Sequence, residues 1–187
     1  RYAVGQEDGS VTVRTFDNGA VVHRIAPRPD RPGSVKALLF SPSGSLLAIG
    51  VEGPRGFEAR VIEPASGREL LNLRSPGNEL ALDFEPGERR VAVRGENGSI
   101  QILALDGGPS SSLPWTQSGV HPPTYLAFDP SGKRLASLSQ WNGYSVLVWD
   151  VTRGQVEKRL VHRGIPFRVG WHPGGKLLAL ACADYAA

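Results

Sequence analysis

Short apolar runs recur along the chain, each closed by turn-forming residues, and no stretch keeps a helical apolar period for even twelve residues. The stretch Val35-Lys-Ala-Leu-Leu-Phe40 has strand length, Ser41-Pro-Ser-Gly44 supplies a turn, and Ser45-Leu-Leu-Ala-Ile49 starts a second strand. Proline fixes one backbone dihedral and glycine tolerates positive values, so this segment predicts a tight antiparallel hairpin. The arrangement returns at Leu80–Phe84 with Arg90–Val93, at Tyr125–Phe128 with Leu135–Leu138, and at Phe167–Trp171 with Leu177–Leu180. Third strands are expected at Ala59–Ile62, Ile100–Leu103 and Ser145–Trp149. Fourth strands are expected at Arg68–Leu73 and Gln155–Leu160, whereas Pro109-Ser-Ser-Ser-Leu-Pro114 reads as loop. The fold class expected is all-β.

The hairpin turns are near-copies of one phrase: Phe40-Ser-Pro-Ser-Gly44, Phe84-Glu-Pro-Gly87, Phe128-Asp-Pro-Ser-Gly132 and Trp171-His-Pro-Gly-Gly175. Their aromatic residues stand 44, 44 and 43 positions apart. A period of that size marks a repeat in which each unit is a small sheet burying its faces against its neighbours. One array over 1–187 is expected, with units near 1–30, 31–75, 76–118, 119–163 and 164–187. The first unit supplies three strands (Tyr2–Val4, Gly9–Val13, Ala20–Ile25) and the last only two.

These units resemble the WD40 β-propeller family. The aromatic-x-Pro-x-Gly turn is similar to that family's first-to-second-strand turn, and Trp149-Asp150 matches the dipeptide that names it. Elsewhere the match decays, to Ile62-Glu63, Leu103-Ala104 and Thr15-Phe16-Asp17. The Gly-His pair that often precedes a blade is missing from its expected place, although Ser137 and Trp149 could retain part of the associated network. The resemblance implies a β-propeller of four-stranded antiparallel blades, and this chain would be a segment of a larger ring of about seven blades. Degenerate repeats of this kind look like bacterial propellers attached to signalling or antiviral defence enzymes, among them STAND-type ATPases, protein kinases and caspase-like proteases. There the propeller is the sensing or scaffolding end.

Charge narrows the partner class. With 21 basic and 18 acidic residues the formal charge is +3, and the clusters Arg24/Arg28/Arg31 and Lys158/Arg159/Arg163 are not the dense stripe that phosphate binding favours. The expected partner is therefore protein rather than nucleic acid. Cys182 stands alone, which excludes an internal disulfide and suggests a reducing, cytoplasmic setting with an inert, buried thiol. No apolar run has membrane-spanning length and no signal peptide is visible, while the start at Arg1 and the absence of methionine suggest a piece of something longer.

No metal or cofactor is expected. His23, His121, His162 and His172 have no ligand spacing, and His172 takes the variable turn position held by Ser41, Glu85 and Asp129. Gly50-Val-Glu-Gly-Pro-Arg-Gly56 lacks the Gly-Lys-Ser/Thr ending of a phosphate loop and reads as a hairpin connection. No activated nucleophile or paired-carboxylate site stands out, so the segment is expected to be non-catalytic.

The candidate partner-binding residues are Arg55, Phe57, Trp141 and Tyr144, on connections between second and third strands. Such connections lie at the same end as the fourth-to-first links, and large aromatics with arginine are typical interface anchors. Packing of Trp141 and Tyr144 on an adjacent sheet is the competing reading. The leading function is protein recognition or sensing. The alternatives are a purely structural scaffold and a small-ligand or enzymatic site.

Overall fold

The computed structural model describes residues 1–54, 56–75, 81–95, 98–114, 123–139, 145–162 and 164–183. Arg55, Trp141 and Tyr144 lie outside the described residues. The chain divides into two compact units, Arg1–Leu80 and Ala81–Ala187. Every regular element among the described residues is a β-strand, and the architecture is all-β with repeated antiparallel sheets.

The first unit has a three-stranded sheet, β1 (Tyr2–Gly5), β2 (Val11–Arg14) and β3 (Val21–Ile25), in that order. Its second sheet runs β4 (Ser34–Phe40), β5 (Leu47–Gly53), β6 (Gly56–Glu63) and β7 (Arg68–Ser75), again in chain order. Alternate side chains from the two sheets meet in one core: Val11 and Val13 pack with Leu47, Ile49 and Ile62, joined by the partly buried Val35 and Val51. A Cβ on Gly5 would fall 2.2 Å from Val35 Cγ1, so only glycine lets β1 approach β4 there.

The second unit contains two four-stranded sheets and a hairpin. The first sheet comprises β8 (Leu82–Phe84), β9 (Arg90–Arg94), β10 (Ile100–Ala104) and β11 (Ser111–Leu113). The next comprises β12 (Tyr125–Phe128), β13 (Arg134–Ser139), β14 (Ser145–Asp150) and β15 (Gln155–Val161), and the hairpin is β16 (Ile165–Trp171) with β17 (Leu178–Ala183). Strands β12, β13 and β14 are buried on both faces of their sheet, which explains their nearly uninterrupted apolar sequences. Leu126, Phe128, Leu135, Leu147 and Trp149 face one core with Ile100, Ile102 and Leu113. Ala127, Ala136, Leu138 and Val146 face another with Val169. The outermost strand, β15, is exposed along most of its length, and its charged Glu157, Lys158 and Arg159 suit an edge.

The repeated phrase is one turn built four times. The residue after the aromatic donates its backbone N–H across the hairpin: Ser41 to Leu46, Glu85 to Arg90, Asp129 to Arg134 and His172 to Leu177, all at 2.9–3.0 Å. Three residues later Gly44, Glu88, Gly132 and Gly175 donate back to the carbonyls of Ser41, Glu85, Asp129 and His172 at 2.8–2.9 Å. This fifth position has φ of 74°, 56°, 69° and 67° respectively, which favours glycine. In the second copy the glycine stands one residue early, at Gly87, and Glu88 takes the left-handed conformation instead. Three third-to-fourth strand pairings also share a feature, a register shift at Val13/Arg14, Val61/Ile62 and Val148/Trp149. Such bulges raise local twist.

Two sequence expectations change. The 109–114 segment read as loop contains β11, held because Leu113, opposite Ile100, is drawn into the core at 1% exposure. The glycine-rich 50–56 segment is largely strand: β5 continues to Gly53 and β6 resumes at Gly56, its register partner. Glycine permits this extension because a Cβ at Gly53 would fall 2.6 Å from the Pro32 carbonyl oxygen.

Candidate functional site

In any antiparallel sheet taken in chain order, the second-to-third and fourth-to-first connections share one end. In the first unit that end holds an arginine–glutamate cluster and a groove. Residue pairing sets Val51 opposite Glu58 and Glu58 opposite Arg74, so these three side chains lie on one face of the β4–β7 sheet. The link between β3 and β4 brings Arg28 and Arg31 onto that face. Arg28 Nη1 donates to Glu58 Oε1 at 3.1 Å and its Nη2 to Glu69 Oε1 at 2.9 Å. Arg31 Nη1 donates to Glu58 Oε2 at 2.7 Å, and Arg60 Nε to Glu69 Oε2 at 2.8 Å.

All four oxygens of Glu58 and Glu69 are thereby occupied by guanidinium groups. Glu58 is 8% exposed, a burial that a carboxylate tolerates when paired and hydrogen-bonded. Its hydrogen bond raises the pKa of Arg31 above the ordinary value. Arg74 extends the same row, is exposed, and makes no ion pair with another described residue.

Beside the cluster lies a groove of about 270 Å³, with Pro32, Val51, Pro54 and Phe57 among its apolar lining. Arg31, Glu58, Arg74 and Asp30 form its charged margin. Pockets that enclose whole small ligands usually measure about 300–1,000 Å³. The groove stands at the lower edge of that range and has room for an apolar side chain.

Phe57 reaches this end of the sheet, but not as a protruding anchor. It is 3% exposed, and a Cβ on Gly50 would fall 2.7 Å from its ring. The structure therefore makes Phe57 part of the groove's wall, because β6 begins at Gly56 and fixes the ring within the sheet. The role of Arg74, Glu58 and Glu69 was not visible in sequence. The cluster Arg24/Arg28/Arg31 was the only local signal, and its acidic partners are separated by dozens of residues.

Other marked residues have structural settings. Trp149, 2% exposed, donates from Nε1 to Ser137 Oγ at 2.8 Å, so the two residues singled out together in the sequence do meet. His172 is an exposed turn residue whose Nδ1 accepts from Gly174 N at 3.0 Å. Cys182, expected to be buried, is half-buried in β17, where burial alternates along the strand. Arg168 stacks over Tyr125 at 4.8 Å. His162 has a buried Nε2 with no hydrogen-bond partner among the described residues, and desolvation lowers its pKa below the ordinary 6.5.

Two carboxylates tie neighbouring strands together in the second unit. Asp83 Oδ2 accepts from Phe128 N at 2.7 Å, yet desolvation prevails over this bond and pushes its pKa up to about 6. Asp129 is opposite in balance: desolvation would raise it, but hydrogen bonds from Arg134 and Ser131 bring it below the ordinary value. Among the described residues, no group of three or more His, Cys, Asp or Glu could hold a metal ion. No helix among them is long and apolar enough to cross a membrane. No family model matches the chain, and no curated protein matches it.

Proposed function

We propose that this chain is a segment of a WD40-like β-propeller whose role is non-catalytic recognition of protein, within a larger bacterial signalling or defence protein of the cytoplasm. The repeated aromatic-x-Pro turn, with its constant hydrogen bonds, supports the propeller reading, and the Trp149–Ser137 bond agrees with it. One observation carries the functional part. At the connection end of the first unit, an apolar groove with an arginine margin is open to solvent and sized for a partner's side chain.

A scaffold role is the second reading. Its support is the exposed Tyr2, Val4 and Val22 on the first sheet, apolar surface suited to permanent cover by another part of an assembly.

Site-specific photo-crosslinking in the full-length protein separates the two. A crosslinker at Glu52, at the groove end, should yield a discrete protein adduct, while one at Ser43, on the opposite turn end, should not. Equal adducts from both positions, or adducts from Ser43 alone, would overturn recognition through the groove. Adducts confined to a crosslinker at Val22 would favour the scaffold.

A further inference from the structure

The face shared by Val51, Glu58 and Arg74 has an uneven distribution of charge. Four arginines stand on or over it, at 28, 31, 60 and 74, against Glu58 and Glu69. Each glutamate already receives two guanidinium groups, and among the described residues neither forms an ion pair with Arg74. Asp30 approaches Arg31 Nε at 3.8 Å, but its side chain is 72% exposed and it provides only a weak counter-charge. Among the described residues the result is an exposed guanidinium without an ion-pair partner, beside a cavity walled by proline and valine.

A ligand suited to this margin needs a carboxylate, which a guanidinium binds in a planar, two-point geometry. A ligand suited to the cavity needs a compact apolar body. A polyphosphate has no such body to offer next to its charge, and Asp30 would repel a dense polyanion.

From this complementarity we infer that the groove seats an acidic peptide segment of a partner protein. One apolar side chain enters the cavity, and a neighbouring carboxylate pairs with Arg74. The inference rests on the protein-recognition reading and specifies its ligand chemistry. Because the Arg28–Glu58–Arg31 cluster is formed without the ligand, Arg31 is held in place by Glu58 and little side-chain ordering remains to be done on binding.

The test uses the purified chain and three fluorescein-labelled hexapeptides, in which one leucine is flanked by aspartates, by asparagines or by lysines. Fluorescence anisotropy reads affinity, and backbone amide NMR shifts read location. The aspartate peptide should bind at least tenfold more tightly than the asparagine peptide, weaken as salt rises, and shift amides at Val51, Gly53 and Arg74. Arg74→Gln should reduce its affinity about fivefold to tenfold and Arg74→Glu further. Arg74 is exposed on an edge strand, and an unchanged thermal midpoint in both variants would confirm that the fold is intact.

Preference for the lysine peptide with shifts at the same amides would overturn the acidic assignment while leaving peptide recognition in place. Unchanged affinity in Arg74→Glu would remove Arg74 from the site. Inorganic phosphate producing the same shifts and displacing the peptide would reduce the groove to a general anion site. An absence of shifts with all three peptides would overturn the inference, whereas the Glu52 crosslinking result stands or falls separately.

Discussion

Replacing Asp83 with asparagine should stabilise the second unit at neutral pH. In the unfolded chain this carboxyl titrates near 3.8, and in the folded protein burial pushes it up to about 6. The folded state therefore holds its proton more tightly. The corresponding stability is fully present below about pH 3.8 and is lost as pH rises through 6. A shift of this size corresponds to about 3 kcal/mol at 1.36 kcal/mol per unit. The asparagine side chain would keep an oxygen to accept from Phe128 N, at 2.7 Å in the parent, while removing the buried charge. Its amide hydrogens need partners of their own, which costs about 1 kcal/mol and leaves a net gain of about 2 kcal/mol at pH 7. The thermal midpoint should rise about 4–8 °C at pH 7 and hardly change at pH 4. Calorimetry on both proteins at pH 4, 5, 6 and 7 provides the measurement. Taking the difference between them cancels His162, whose lowered pKa favours the fold above 6.5 and acts in the opposite direction. A difference that is constant across the four pH values would mean that Asp83 titrates as an ordinary surface carboxylate, and the argument would be wrong.

Three further outcomes follow from the fold and the cluster. Glu88→Gly should stabilise by about 0.5–1 kcal/mol in urea denaturation, because it relieves a left-handed non-glycine residue, whereas Gly44→Ala at the equivalent turn should cost about 1–2 kcal/mol. Trp149→Ala should cost about 3–5 kcal/mol through lost packing, and near-neutral stability would sink the strand register assigned to β14. Glu58→Gln should destabilise the first unit by about 1–3 kcal/mol, since Arg28 and Arg31 lose their shared carboxylate, yet should tighten the aspartate peptide in anisotropy titrations.

What the sequence disclosed well was local. A strand of alternating or continuous apolar residues followed by aromatic-x-Pro-x-Gly specifies its own hairpin, so the first and second strands of each sheet were legible at all four copies. The second turn shows the limit of the pattern: Gly87 in Phe84-Glu-Pro-Gly87 suggested where the chain would turn, but the hydrogen bonds place the positive φ on Glu88. Strand β11 is hidden in the sequence because its single buried residue, Leu113, is surrounded by serines and prolines that read as loop. The neighbourhood of Phe57 marks it as a candidate, but its burial depends on β5 and β6 continuing through glycines that favour turns. The groove's charges were the least legible part. Arg28, Glu58, Glu69 and Arg74 come together through sheet register and a connection passing over the face, and no short motif encodes that meeting.

The turns in the second unit also contact one another in series. A Cβ on Gly132 would lie 3.0 Å from Glu85 Cγ, so the second copy's variable side chain rests on the third copy's glycine. Arg134, held by the third copy's Asp129, donates to the Gly175 carbonyl oxygen of the fourth copy and stacks over Trp171 at 4.8 Å. Each sheet is thus coupled to the next at its turn end as well as through its core. Nearest-neighbour coupling of this type makes opening spread sequentially along the row, with its free energy close to a sum of unit and interface contributions. A defect introduced at Asp129 would therefore lower amide-exchange protection in β12–β13 and in the β16–β17 hairpin that Arg134 holds.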